Sequence, residues 1–339
     1  MKKTALLKLL ACHLVVLLVA LSTTAHGARK TVVKFALLAP EGSAWMEIFN
    51  ALNQEVMEKT GQAVQFRYYP GGVLGDEKDV LRKMVIGQIQ GALLTTSTLT
   101  TVFNDMEVFQ VPFLFRDYPE VDYVRDHMEG YFKSGLAAKG YALLGWSEGG
   151  FVRLMSMEPM TTLEQLRKAK VWTWNEAPMT QAIFSEAGVS GIPLSLPDVL
   201  VGLQTGLVDV VYAPPAAAIS LQWFTRVKYI TDVPLSYITG GIVVKKDLYD
   251  SLGPEYQAVL DEVCKKYTAR LQQTVREENL QALQVMEKHG VRRVKPTDAT
   301  LEEFKALSAK AMQRPENHQF SDAVLQQVNQ LLNTYRGNQ

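Results

Sequence analysis

Residues 170–215 alternate between strand-type and helix-type patterns, and this alternation is the feature that most limits the fold. Glycine and proline bound the helical segments that separate the short β-type runs. Strands joined by helices in this way are parallel, and their carboxyl ends meet at one edge of the sheet, where α/β proteins bind ligands. The predicted elements are, in chain order, a strand at 171–174, a helix opened by Asn175 and Pro178, a short strand at 192–194, a helix at 199–205 closed by Gly206, and a strand at 208–212.

The first part of the chain carries the same alternation. Ser43 is a good N-cap for a predicted helix over Ala44–Lys59, in which Phe49, Leu52 and Val56 lie on one face. A strand pattern precedes this helix, and a second strand, a second helix and a third strand follow it. This βαβαβ order predicts a parallel sheet with helices on both faces.

Several segments, taken in their order and spacing, resemble one family of binding proteins. They are PEGSAW, TGQAVQFRYYPGGVLGDEKDVLRKMVIGQIQGA, VPFLFRDYPE, LEQLRKAKVW and GLQTGLVDVVYAPP. Together they resemble the TRAP-type, DctP-like periplasmic solute-binding proteins, from about Val32 to about Leu307. The resemblance implies an α/β, two-lobed periplasmic-binding-protein fold of the class II-like type. It also implies that the long helical pattern from Pro254 to His289 braces both lobes.

The resemblance further implies a domain arrangement and a mode of action. Lobe I would comprise residues 28–150 and about 237–285, and lobe II residues 151–236 and about 286–330, with the ligand cleft between them. Such a protein captures a small molecule, closes around it by hinge motion and passes it to a TRAP-type integral membrane permease formed by other chains. We also leave open a further periplasmic partner protein.

Residues 1–27 have the pattern of an export signal. Lysines come first, residues 9–21 are almost entirely apolar, and Ala25-His26-Gly27 fits the rule for a cleavage site. We therefore expect cleavage near Gly27 and a periplasmic location. The exported protein would keep one cysteine, Cys264, which excludes an internal disulfide.

Composition and motifs argue against several other classes of protein. The formal net charge is zero, so the chain has no basic field for nucleic acid. The sequence contains no GxSxG, HExxH, CxxC or P-loop pattern, and its histidines do not cluster. We therefore expect no enzymatic activity, no metal site and no cofactor.

The sequence departs from the family pattern where the ligand is held. The resemblance places the arginine that clamps a ligand carboxylate at Trp172, and a second arginine of the family at Val152. Tryptophan offers one N–H and a large apolar face and cannot form a bidentate salt bridge. Arg153 is adjacent to Val152, but neighbouring strand residues point to opposite faces, so it replaces the family arginine only if the register is shifted by one residue.

These departures predict a neutral or largely apolar, possibly lipid-like, ligand. It would stack on Trp172 and Trp174, and Trp45, Phe113 and Trp146 would close over it. Most of the candidate contacts lie in loops that follow strands. The full candidate set is Ser43, Trp45, Gly72, Thr96, Ser97, Phe113, Trp146, Glu148, Arg153, Trp172, Trp174, Asn175, Tyr212, Pro214 and Tyr237.

Other interpretations stay open at this point. Some of the aromatic residues could belong to the core, an isolated carboxylate such as Glu148 is more often solvated, and the threonine-rich run 95–98 is more simply a turn. A conventional organic acid could be held by Arg153 or Arg67. If the tryptophans fill the cleft themselves, the chain would be a periplasmic interaction or scaffold protein.

Overall fold

A computed structural model describes residues 30–174 and 178–338, so the predicted export signal and Asn175 lie outside the described residues. The strands of this part of the chain are β1 (Thr31–Ala36), β2 (Val64–Tyr69), β3 (Gly91–Thr95), β4 (Tyr141–Ser156), β5 (Val171–Thr173), β6 (Gly191–Pro193), β7 (Val210–Ala213), β8 (Tyr229–Thr231), β9 (Ser236–Lys245) and β10 (Arg292–Val294). The α-helices are α1 (Ala44–Lys59), α2 (Glu77–Val85), α3 (Thr96–Thr100), α4 (Tyr118–Ala138), α5 (Leu163–Lys168), α6 (Pro178–Ala187), α7 (Val199–Thr205), α8 (Pro215–Ser220), α9 (Lys246–Ser251), α10 (Gly253–Lys288), α11 (Asp298–Met312) and α12 (Asp322–Gly337).

One mixed sheet runs through both halves of the molecule, in the order β2-β1-β3-β9-β4-β7-β5-β6. Strand β4 belongs to both halves, because it pairs with β9 as far as Val152 and with β7 from Arg153 onward. Its pairing with β9 is irregular between Leu143 and Gly145 and again between Glu148 and Gly150. Irregular pairing of this kind bends a strand without ending it.

In the first half, local sequence signals correctly predicted where helix α1 begins but did not predict the short helix after β3. The Ser43 side chain accepts the Met46 N–H at 3.3 Å and begins α1, as expected from its type and position. The interpretation of residues 95–98 as a turn was wrong, because Thr96–Thr100 form a short helix. The threonine hydroxyls stabilise this helix through bonds to distant groups, among them the 2.5 Å bond from Thr96 Oγ1 to the Thr239 carbonyl.

The second half has the predicted parallel strands β5, β6 and β7. Thr162 caps α5 and shares a capping box with Gln165. Helix α7 ends at Gly206, whose φ of +70° is the left-handed conformation that glycine adopts at low cost. These strand and helix ends place the loops of the second half beside those of the first.

Helix α10 spans the molecule. Its 36 residues extend about 54 Å at about 1.5 Å per residue. Leu260 and Val263 pack in the core beneath α1, whereas Leu283 and Met286 pack in the core of the second half. The predicted α/β, two-lobed fold with a long bracing helix is confirmed.

Among the helices at residues 30–174 and 178–338, none combines the length and the apolar character that crossing a bilayer requires.

Candidate ligand-binding site

A pocket lies where the two halves of the sheet meet. Its empty space, including the open mouth, is about 960 Å³. Strand β4 forms its floor, helices α5, α6 and α11 form its walls, and a loop of the first half closes one side. The lining residues are Pro112, Phe113, Val152, Leu154, Met160, Thr161, Thr162, Leu166, Thr180, Ile183, Phe184, Ala187, Tyr212, Thr231, Val233, Leu235, Ser236, Pro296, Thr300, Leu301 and Phe304.

The side chains of β4 alternate, and this alternation decides which of them reach the pocket. Val152 and Leu154 line the pocket. Arg153 between them is not among the lining residues, and its Nη1 donates to the Thr231 carbonyl at 3.2 Å and to Asp232 Oδ1 at 3.1 Å. Arg153 therefore lies outside the pocket lining and already has a carboxylate partner in Asp232.

None of the lining residues within the described ranges 30–174 and 178–338 carries a formal charge. Its polar groups are hydroxyls, and several of them bond within the protein. Thr231 Oγ1 donates to the Leu154 carbonyl at 3.2 Å, and Thr161 Oγ1 donates to Gln165 Oε1 at 3.2 Å. The pocket thus presents apolar surface with a few neutral hydrogen-bonding groups.

Phe113 lies at the mouth of the pocket in a strained backbone conformation. Its φ is +59°, which a bulky side chain rarely adopts, and its N–H donates to the Leu235 carbonyl at 2.8 Å. That bond ties the loop of the first half to the strand connection of the second. Strain of this kind is common at binding sites, where the surrounding structure maintains it.

Tyr212 lines the pocket, and Trp172 lies behind it. The two rings are 4.9 Å apart and inclined by 30°. Trp172 is only 2% exposed, its ring contacts Trp223 at 5.4 Å, and its Nε1 donates to the Leu194 carbonyl at 3.1 Å. The expected stacking of a ligand on Trp172 therefore has to be corrected, because its face and its N–H are already used within the protein.

Trp174 is 37% exposed at the end of β5, and its backbone N–H donates to Tyr212 Oη at 3.3 Å. Burial raises the pKa of Tyr212, although the hydrogen bond from Trp174 opposes this effect. The phenol is thus neutral across the physiological pH range. Tyr212 and Phe113 are the two candidate residues that the structure brings together at this pocket.

Three candidates lie in the interior of the first half. Trp146 packs against Phe109 at 5.3 Å, and Tyr237 is 1% exposed in the same core. Glu148 is fully buried and paired with Arg276, so it is not the solvated carboxylate that its type suggested. These side chains face the helices that cover the sheet and are absent from the pocket lining, which corrects their assignment as ligand contacts.

The remaining candidates lie in loops at strand ends, away from this pocket. Trp45 packs against the core of the first half, and Gly72 borders a smaller recess of that half. Ser97 is exposed, and Pro214 is a buried N-cap residue of α8. Ser43 and Thr96 use their side chains within the first half, as described above.

Sequence reasoning missed the wall that α11 contributes. Leu301 and Phe304 line the pocket opposite β4, and the buried Ile183 of α6 lies beside them. The three-residue spacing of Leu301, Phe304 and Leu307 was the signal for an apolar face.

The sequence matches the family model DctP, "Bacterial extracellular solute-binding protein, family 7", over residues 35–318. The chain belongs to this family. Members of the DctP family are solute-binding proteins and not enzymes, and they act outside the cytoplasm. This chain is accordingly a periplasmic solute-binding protein of the TRAP type, as the motifs predicted.

Relatives in the DctP family bind different solutes. The chain is 27% identical, over 210 residues, to the 2,3-diketo-L-gulonate-binding periplasmic protein YiaO of Escherichia coli strain K12. That match covers 61% of this chain and 64% of the relative, slightly less than two thirds of its length. The C4-dicarboxylate-binding periplasmic protein DctP of Rhodobacter capsulatus is 27% identical over 272 residues, covering 78% of this chain and 79% of the relative.

The DctP-family fold is also found in a solved structure. A TRAP periplasmic solute-binding protein from Ochrobactrum anthropi, with its C-terminus bound in the ligand-binding pocket, superimposes with a TM-score of 0.83. The superposition covers 92% of this chain and 98% of that protein, at 23% sequence identity. At this identity the comparison establishes a shared fold.

Proposed function

We propose that this periplasmic binding protein captures a small, uncharged and largely apolar ligand in the pocket beside Val152. It would deliver that ligand to a TRAP-type membrane permease formed by other chains. The observation that carries the proposal is the chemistry of the pocket lining, in which none of the residues that the structure describes is charged. The position where the motif alignment places a family arginine is occupied by Val152, whose side chain lines the pocket.

The energetics of burial favour a neutral ligand in such a site. Moving a carboxylate from water into a protein interior costs several kcal/mol unless a cation and hydrogen bonds compensate for the lost hydration. Arg153 is paired with Asp232 and does not line the pocket, and Arg67 is exposed on β2. Neither arginine offers its charge to a ligand lying against Val152.

An organic acid is the second candidate ligand. The names of two relatives favour it, because they describe binding of 2,3-diketo-L-gulonate and of C4-dicarboxylates. Such a ligand would have to lie nearer the exposed loops at the strand ends, where water could solvate its charge. Closure of the two halves would drive capture in either case, since contacts made only in the closed state favour that state.

Two measurements test the proposal. First, the protein is purified without detergent, extracted with organic solvent and analysed by mass spectrometry beside a mock purification; we expect an uncharged apolar molecule. Second, C4-dicarboxylates, sugar acids and keto acids are screened by thermal shift; we expect no stabilisation. A ligand present at about 100 times its Kd stabilises by about 2.7 kcal/mol, so a clear shift with a carboxylate would overturn the proposal.

Substitution of Val152 provides a matched pair of variants. Val152→Arg places a buried cation against the apolar walls, and we expect it to abolish binding of the extracted molecule. Val152→Met adds volume without charge and should retain most of the affinity, since uncharged substitutions of similar size are tolerated best. Equal losses in the two variants would indicate that size, and not charge, accounts for the effect.

A further inference from the structure

We infer that Tyr212 donates a hydrogen bond to the ligand and that Trp172 is the residue that positions it. The ligand class that follows is an uncharged molecule with an apolar body and an acceptor oxygen, as in a ketone, an ester or an ether. This inference rests on the proposed function. It adds the hydrogen bond that would recognise the ligand at the end of the pocket near β5 and β7.

The hydrogen bonds of Tyr212 leave its own hydrogen available. The Trp174 N–H donates to Tyr212 Oη at 3.3 Å, and this bond occupies a lone pair of the oxygen and not its hydrogen. The hydroxyls of Thr173 and Thr180 act on Tyr212 as hydrogen-bond donors, because both lower the pKa of the phenol, so they too face its oxygen and not its hydrogen. A ligand oxygen in the pocket would satisfy this donor.

Two aromatic side chains hold the phenol ring in place. Trp172 packs on Tyr212 with ring centres 4.9 Å apart, and Phe184 meets Tyr212 edge-on at 6.0 Å. Trp172 is itself fixed by Trp223 and by its bond to the Leu194 carbonyl. A donor held in this way loses little conformational entropy when the ligand binds, which is the usual advantage of preorganisation.

The rest of the pocket accounts for the apolar body of the ligand. Ile183 and Phe184 on α6 line the pocket together with Leu301 and Phe304 on α11. These side chains offer contact surface and no hydrogen bonds. One neutral donor at one end of an apolar pocket fixes the orientation of a ligand that has an oxygen at one end.

The test uses two probes that differ by one carbonyl group, acetophenone and ethylbenzene, with binding measured by NMR titration of the full chain. In the unmodified protein we expect both probes to bind and the ketone to bind up to about tenfold more tightly, the factor that one net hydrogen bond supplies. Tyr212→Phe should remove this preference and leave the affinity for ethylbenzene unchanged. Tyr229→Phe, which alters a tyrosine outside the pocket lining, is the control.

Trp172→Phe tests the positioning role. It keeps an aromatic ring but removes the bond to the Leu194 carbonyl, so the preference for the ketone should fall while ethylbenzene still binds. Leu301→Trp fills the pocket and should weaken both probes, which establishes where they bind.

The possible failures are distinguishable. If both probes bind in the pocket and Tyr212→Phe retains the preference for the ketone, the role of Tyr212 is overturned while the proposed function stands. If both bind equally to the unmodified protein, the inferred ligand class is overturned. If neither probe binds, or if Leu301→Trp affects neither, the pocket is not an apolar ligand site and the proposed function fails with the inference.

Discussion

Arg276 on helix α10 and Glu148 on strand β4 form a bidentate ion pair, with Nε 2.9 Å from Oε1 and Nη2 2.8 Å from Oε2. The Glu148 side chain is inaccessible to solvent, and Arg276 also bonds to both carboxylate oxygens of Asp122 on α4. The Tyr118 ring lies 4.4 Å from the guanidinium carbon. These contacts connect helix α10 to strand β4 near the point where β4 passes from one half of the molecule to the other.

Replacement of Arg276 by alanine should destabilise the protein strongly. Removing the guanidinium leaves the Glu148 carboxylate buried without a hydrogen-bonded counter-charge, a change that typically costs about 3–5 kcal/mol. Urea unfolding followed by circular dichroism measures the loss. The control is Lys168→Ala, which breaks an exposed pair with Glu164 and should cost less than about 1 kcal/mol. Similar losses in the two variants would contradict a special role for the buried pair.

Gly150 should tolerate alanine less well than Gly140, although both have positive φ angles. Their φ values are +99° and +86°, and at Gly140 an added Cβ would meet nothing within 4 Å. At Gly150 the added carbon would lie 2.6 Å from Asn279 Nδ2. We expect Gly140→Ala to cost about 1–2 kcal/mol from backbone strain, and Gly150→Ala to cost about 1–3 kcal/mol more from the clash.

The two glycine variants are compared by thermal and urea unfolding under identical conditions. Asn279 also donates to the Gly149 carbonyl at 3.1 Å and accepts the Ala216 N–H at 3.1 Å, so the clash would disturb a contact between β4, α10 and α8. Equal costs for the two substitutions would show that this packing adds nothing to stability.

The stability of the protein should fall in acid as Asp122 becomes protonated. Burial alone would raise the pKa of Asp122, but the hydrogen bond from Arg276 and the charges of Arg125 and Arg276 outweigh it and hold the pKa below the ordinary 3.8. The unfolded chain therefore binds this proton first as the pH falls. The contribution of the group is complete above about pH 4 and is lost as the pH falls through the lowered pKa.

Asp122→Asn should be less stable than the unmodified protein at neutral pH and should lose less further stability between about pH 4 and pH 2. The measurement is the free energy of unfolding in urea at several pH values. Asp126→Asn, on an exposed position of the same helix, is the matched control and should follow the unmodified protein. Parallel curves for all three proteins would contradict the assignment to Asp122.

Cys264 should be unreactive while the protein is folded. Its side chain is fully buried, and burial raises the pKa of its thiol to about 12, so almost no reactive thiolate is present at pH 8. We expect a thiol reagent to label the peptide that contains Cys264 only after urea is added, as followed by mass spectrometry. Rapid labelling of the native protein would show that helix α10 opens locally.

The sequence predicted the elements whose signals are local. The cap at Ser43, the end of α7 at Gly206 and the length of α10 all depend on residues within a turn or two of one another. Motif order added the family and the two-lobed fold. It also aligned Val152, and not Arg153, with the family arginine, and this alignment stays a prediction.

Tertiary packing decided which side chains a ligand can reach. The sequence by itself predicted that Trp172 lies in a strand and that it stands where the resemblance places a family arginine. Only the folded structure shows that Tyr212 packs on the ring of Trp172 and that the Leu194 carbonyl accepts a hydrogen bond from Trp172 Nε1. Likewise, the apolar residues of α11 form a pocket wall only because the chain returns to β4 after α10. Local patterns determine helices and strands, but the neighbours of a side chain depend on segments that are distant in sequence, and those neighbours define the binding site.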